Sequence, residues 1–131
     1  MADEANRLLV VEDHAAEAHV ISFVLQQAGF GVTLARSGPA AWELLCEREF
    51  DLVVSDFKMP GMTGGELCER IRGDERLKRL PIVFLTAKGL ELDRDRYLAE
   101  LSVDAIISKP FSPRELVRKV RECLAMSTAG G

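Results

Sequence analysis

With 131 residues, 47% of them apolar and 29% charged, the chain has the length and balance of one ordinary globular domain. A net charge of −4 offers neither a basic footprint for direct nucleic-acid binding nor a polybasic membrane anchor. Its apolar runs are too short to span a bilayer, and the first residues lack both parts of a secretory signal, so a cytoplasmic protein is expected.

Residues 1–6 are expected to be disordered. Leu8-Leu9-Val10-Val11 is an unbroken apolar run ending in Glu12 and Asp13. Such runs without alternation predict strands buried on both faces, as in a parallel sheet covered by helices. Ala18, Ile21, Leu25 and Ala28 share one face of a helix that Gly29 ends. Val32-Thr33-Leu34-Ala35 alternates, as a half-exposed edge strand would. Ser37 caps a second helix, with Pro39 in its first turn and Trp42, Leu45 and Cys46 on its inner side. The third strand, Leu52-Val53-Val54-Ser55, runs into Asp56, and Thr63-x-x-Glu66 is a capping box for a helix stopping at Gly73.

Ile82-Val83-Phe84-Leu85 then ends at Thr86, and Ala105-Ile106-Ile107-Ser108 ends at Lys109. Between them, residues 90–101 predict a fourth helix with the poorest periodicity of the set. Ser112-Pro113-Arg114-Glu115 opens the last helix, whose Leu116, Val117, Val120, Cys123 and Leu124 form a buried stripe. Residues 127–131 are expected to form a flexible tail. Cys46, Cys68 and Cys123 are odd in number and far apart, with no CxxC pair, so they read as small core or half-buried filler in helices.

The alternation predicts an α/β fold, (βα)5, with a doubly wound parallel five-stranded sheet in the order 2-1-3-4-5. Ligands bind beyond the carboxyl ends of such strands, where Glu12, Asp13, Asp56, Thr86 and Lys109 would meet. Two like charges about 4 Å apart repel by roughly 4 kcal/mol at an effective dielectric of about 20. Three carboxylates against one ammonium therefore call for a divalent cation or for raised carboxylate pKa values. An all-oxygen set suits Mg²⁺ or Mn²⁺, usually completed by a phosphate oxygen, which points to a phosphoryl-bearing partner. A carboxylate can accept that phosphoryl group as a nucleophile, and the protein then needs mainly to position it and compensate charge.

Four pieces lie in order at strand ends: Leu-Leu-Val-Val-Glu-Asp at 8–13, Asp-Leu-Val-Val-Ser-Asp-Phe-Lys-Met-Pro-Gly-Met-Thr-Gly at 51–64, Phe-Leu-Thr-Ala at 84–87 and Ser-Lys-Pro-Phe at 108–111. Together they resemble the response-regulator receiver domain of the CheY-like superfamily, over residues 7–126. The resemblance implies Asp56 as phosphoacceptor, with Mg²⁺ held by Asp13, Asp56 and the Lys58 backbone carbonyl, and by Glu12 through water. It implies that Lys109 contacts the phosphoryl group and that Thr86 hydrogen-bonds it after transfer. Thr86 would thereby report to a helix 4–strand 5–helix 5 face that binds a downstream protein target. The donor would be a sensor histidine kinase, a phosphotransfer protein or a small acyl phosphate. A cis peptide between Lys109 and Pro110 is also implied. Because no output domain fits in this length, a free-standing regulator is expected, monomeric or weakly dimeric and, from its charge, without direct nucleic-acid or membrane contact.

Some positions depart from the family pattern. Ile106 stands where Tyr or Phe often turns inward, so the usual aromatic readout is in doubt and any switch must work through loop or backbone shifts. Ser102 stands where glycine often ends the fourth helix, which predicts a less tight turn. Lys58 and Lys88 flank the path of the hydrolytic water without an amide or carboxylate to orient it, which predicts a long-lived phosphoaspartate. His14 reads as a helix-start residue able to tune donor access, and His19 as a solvated one. Two other classes compete with the switch: a receiver-shaped interaction module that is never phosphorylated, and an aspartate-nucleophile phosphatase. The latter needs Asp-x-Asp where this chain has Asp56-Phe57-Lys58.

Overall fold

The computed structural model describes residues 6–87 and 96–130, the last four without their side chains. Five strands, β1 (Arg7–Val11), β2 (Gly31–Ala35), β3 (Leu52–Asp56), β4 (Ile82–Thr86) and β5 (Ala105–Ser108), form one parallel sheet in the order β2-β1-β3-β4-β5. Helices α1 (Ala15–Gln27), α2 (Gly38–Glu47), α3 (Gly64–Arg72) and α4 (Pro113–Gly130) cover it. The expected sheet order holds.

The unbroken apolar runs have a simple cause: successive residues of each central strand feed opposite cores. Leu9, Val11, Val53, Ile82 and Phe84 pack with Ala41 and Leu45 of α2 and Leu67 and Ile71 of α3. Leu8, Val10, Leu52, Val54, Val83 and Leu85 pack with Ile21 and Leu25 of α1 and Leu116 and Val120 of α4. The edge strand β2 is half-exposed as expected but does not alternate: Val32 and Thr33 are both half-buried, Leu34 is exposed and only Ala35 is buried.

Several expectations need correction. Of the predicted fourth helix, the described part is a π-helical turn, Arg96–Glu100, in which the Leu101 N–H donates to the Arg96 carbonyl at 3.1 Å. Its predicted start, like Lys88, lies outside the described residues. Cys46 is exposed, because Ala41 and Leu45 already fill the inner face of α2 and the next residue rotates outward. Cys68 and Cys123 are buried as expected, and burial pushes both thiols up to about 11. Ser102 does not loosen its connection: it adopts φ 54°, the left-handed conformation a glycine would take. Helix α4 runs to Gly130, past the expected boundary at 126. At the other end, Asn6 is already tied in, its carbonyl accepting the Gly31 N–H at 2.9 Å. No helix among the described residues is long and apolar enough to cross a membrane.

Candidate functional site

The backbone sets the site before any side chain does. At the end of β1 the Glu12 N–H donates to the Ala35 carbonyl at 3.0 Å, and beyond β3 the Phe57 N–H donates to the Leu85 carbonyl at 2.9 Å. Each bond extends the sheet ladder one step past its strand, so the chemical residues leave from fixed points. The Gly64 N–H returns to the Phe57 carbonyl at 2.8 Å, closing the loop that carries Lys58. Where α3 begins, the predicted capping box is present: the Glu66 N–H donates to Thr63 Oγ1 at 3.1 Å and the Thr63 N–H to Glu66 Oε1 at 2.9 Å.

On this frame Glu12, Asp13 and Asp56 each place a carboxylate oxygen within 4.8 Å of the others. Glu12 and Asp56 are buried, at 1% and 8% exposure, and Asp13 is half-buried. Lys109 enters from the opposite side. Its N–H donates to the Thr86 carbonyl at 2.7 Å, and the peptide to Pro110 is cis, as expected. Its Nζ donates to Asp56 Oδ1 at 2.9 Å and to Glu17 Oε1 at 3.0 Å, and lies 3.6 Å from Glu12 Oε1.

The electrostatics follow from burial. Burial pushes the Asp56 and Glu12 carboxyls above the usual range, only partly offset by Lys109 on Asp56 and by the His14 N–H on Glu12. Burial also pulls the Lys109 ammonium down, but its hydrogen bonds to Asp56 and Glu17 outweigh that and leave it raised. Glu12 Oε2 accepts the His14 N–H at 3.0 Å, whereas Oε1 is buried without a hydrogen-bond partner. A buried carboxylate oxygen left over in a nearby trio of acids fits a hard dication with oxygen ligands.

The other expected residues fall as follows. Thr86 is buried at the end of β4, one residue beyond Leu85, the register partner of Asp56. The Lys58 side chain is exposed in the β3–α3 loop. His14 is exposed and stands at the N-cap of α1, giving its N–H but no side-chain cap. His19 is exposed. Ile106 is half-buried against the core that holds Phe84 and Tyr97.

The sequence reading missed three features. Glu17 lies four residues after Asp13, a spacing short enough for the first turn of α1 to bring it back to the site, where it meets Lys109. Phe57, Phe84 and Tyr97 form an edge-to-face aromatic trio with ring centroids 5.2 to 5.4 Å apart. Arg72 holds four main-chain carbonyls. Only Glu17 carried a signal in spacing.

A buried carboxylate held by an ammonium, among acids fit for a dication, has the parts that phosphoryl transfer requires. Comparison with known proteins identifies the family. The profile of the response regulator receiver domain matches residues 8–121. The phosphate regulon transcriptional regulatory protein PhoB of Pseudomonas aeruginosa is 37% identical over 123 residues, covering 94% of this chain and 53% of that protein. Response regulator Rre1 of Synechocystis sp. is 37% identical over 129 residues, covering 98% of this chain and 55% of that one. The chain thus spans about half the length of these curated relatives. Chemotaxis response regulator CheY4 of Vibrio cholerae superposes with a TM-score of 0.82 at 27% identity, over 91% of this chain and 98% of that one. The chain belongs to the response regulator receiver domain family.

Proposed function

We propose that the protein is a phosphorylation switch of a two-component system, in which Asp56 takes a phosphoryl group from the phosphohistidine of a sensor kinase or phosphotransfer protein in the cytoplasm. The observation that carries this reading is the 2.9 Å bond from Lys109 Nζ to a buried Asp56 carboxylate inside an acidic trio. An Asp56 oxygen forms the new P–O bond as the donor's P–N bond breaks and its electron pair returns to the imidazole. With an acyl phosphate, the P–O bond breaks and the carboxylate leaves. Lys109 steadies the transferring oxygens, and the Thr86 hydroxyl hydrogen-bonds them after transfer. Asp13, Asp56 and the Lys58 carbonyl, with Glu12 through water, would hold Mg²⁺ or Mn²⁺, which supplies charge compensation at the phosphoryl group.

The altered Thr86 position acts on the face made by the Arg96–Glu100 turn, β5 and α4, where a downstream protein binds. With Ile106 in place of an aromatic ring, the message travels through backbone and loop shifts. Ile106 is also the one feature that favours a receiver-shaped module without phosphorylation. His14 tunes donor access, and Lys58 and Lys88 leave the hydrolytic water unoriented, so Lys58→Asn should shorten the life of the phosphorylated state.

Incubation with acetyl phosphate and Mg²⁺, read by intact mass, tests the central step. One phosphoryl group should add to the unmodified chain and none to Asp56→Asn. Equal behaviour of the two chains removes the proposal.

A further inference from the structure

Lys109 makes one more charged contact than its proposed role needs. Its Nζ gives hydrogen bonds of nearly equal length to Asp56 Oδ1, at 2.9 Å, and to Glu17 Oε1, at 3.0 Å. Glu17 belongs to the first turn of α1, while Lys109 follows β5. The pair therefore joins the outermost helix turn at the site to the phosphoacceptor through a single ammonium. An ammonium has three N–H groups. Two are engaged by these acids, and Glu12 Oε1, at 3.6 Å, lies beyond hydrogen-bond distance.

We infer that Glu17 is a positioning residue that divides Lys109 between α1 and the phosphoacceptor, and so opposes phosphorylation of Asp56. This rests on the phosphoacceptor reading above. Before transfer, Glu17 holds the ammonium aimed across the site and shares its charge. On transfer the Asp56 carboxylate becomes an acyl phosphate bearing about two negative charges and three new acceptor oxygens. Those oxygens and Glu17 then compete for the same N–H groups, and the two anions repel. Lys109 turns to the phosphoryl group and Glu17 is released. Its side chain is 44% exposed, against 19% for Lys109 and 11% for Asp56, so it is the member of the trio with room to move.

The consequence is local to one face. Glu17 lines a recess of about 270 Å³ with Ala16, Val20, Ile21, Pro110 and Phe111. Release of the ion pair places an uncompensated carboxylate at the mouth of that recess only after transfer. The anionic donor thus meets a neutralised rim before the reaction, and its product leaves a negative one.

The effect is electrostatic and half-exposed, so it should have the size of an exposed ion pair, about two- to fivefold in rate. Glu17→Gln should be phosphorylated by acetyl phosphate and Mg²⁺ about two to five times faster than the unmodified chain at low salt, with the difference shrinking as KCl rises. Glu17→Asp, which keeps the charge, should stay near the unmodified rate. In the metal-free, unphosphorylated protein, the NMR signal of the Lys109 ammonium should shift in Glu17→Gln. An unchanged rate in Glu17→Gln, or equal rates in the Gln and Asp variants that differ from the unmodified chain, overturns the inference and leaves the phosphoacceptor reading standing. Failure of the unmodified chain to gain a phosphoryl group overturns both.

Discussion

The Arg72 guanidinium, at the end of α3, donates to the Leu101 main-chain carbonyl at 2.6 Å. The same fork reaches the carbonyls of Lys78 at 3.1 Å, Leu80 at 2.6 Å and Ser102 at 2.9 Å, with the Asp104 carboxylate 3.9 Å away. One side chain, 12% exposed, thereby fastens the approach to β4 and the approach to β5 onto α3. Planar geometry and five N–H donors make this possible, and lysine has neither.

Arg72→Lys should therefore lose about 1–2 kcal/mol, because the half-buried Leu80 and Leu101 carbonyls are left without this donor. In urea titration the midpoint should fall while the slope stays the same. A variant within about 0.5 kcal/mol of the unmodified chain, the range of ordinary surface changes, would show that water replaces the guanidinium freely.

Gly64 opens α3 directly behind the end of β3. A Cβ there would lie 2.5 Å from the Asp56 carbonyl oxygen and 3.0 Å from the Phe57 Cα. Both obstacles are main chain, so neither can swing aside. Gly64→Ala should cost about 1–3 kcal/mol and displace the end of β3 relative to Lys109. The variant should unfold at lower denaturant and also take up phosphoryl groups from acetyl phosphate more slowly. Slower uptake without lost stability would contradict the steric account.

Much of this site could be read from residue order alone, and the reason is physical. The central strands β1, β3 and β4 are short, apolar on both faces and lead straight into a candidate site residue, so the strand signal and the site signal coincide at Glu12, Asp56 and Thr86, and the edge strand β5 leads into Lys109 in the same way. Caps at Thr63 and Ser112 were equally legible, because capping is a local interaction within four residues. What stayed hidden depends on distant partners. Arg72 looks like any surface arginine of a helix until residues 101 and 102 come beneath it. Tyr97 gives no hint that it meets Phe57 and Phe84. Cys46 was misplaced because helix periodicity fixes a face only to within one residue, and Ala41 and Leu45 decide which one is inner.

Ser102 offers a gain in stability. A serine at φ 54° bears the steric penalty of the left-handed region, about 1–2 kcal/mol, which glycine avoids. Glycine gives back roughly half of that through its freer unfolded chain. Ser102→Gly should raise stability by about 0.5–1 kcal/mol, and Ser102→Val should lower it by more than that, since branching at Cβ worsens the clash. Thermal unfolding of the three chains gives the order Gly above Ser above Val if the conformation is as found. Any other order contradicts it.

Glu12, Asp13 and Asp56 hold oxygens within 4.8 Å of one another, well inside the Debye length of about 8 Å at physiological ionic strength. Monovalent salt therefore screens their repulsion poorly, whereas a bound dication removes it. A ligand at ten times its Kd adds about 1.4 kcal/mol of stability, or about 3–6 °C for a domain of this size. MgCl₂ should raise the melting temperature by about that amount over KCl of matched ionic strength. In Asp13→Asn, which keeps the shape but withdraws one charge, most of the difference should vanish, and the variant should melt higher than the unmodified chain when magnesium is absent. A magnesium response that persists unchanged in Asp13→Asn would mean that the cation binds elsewhere.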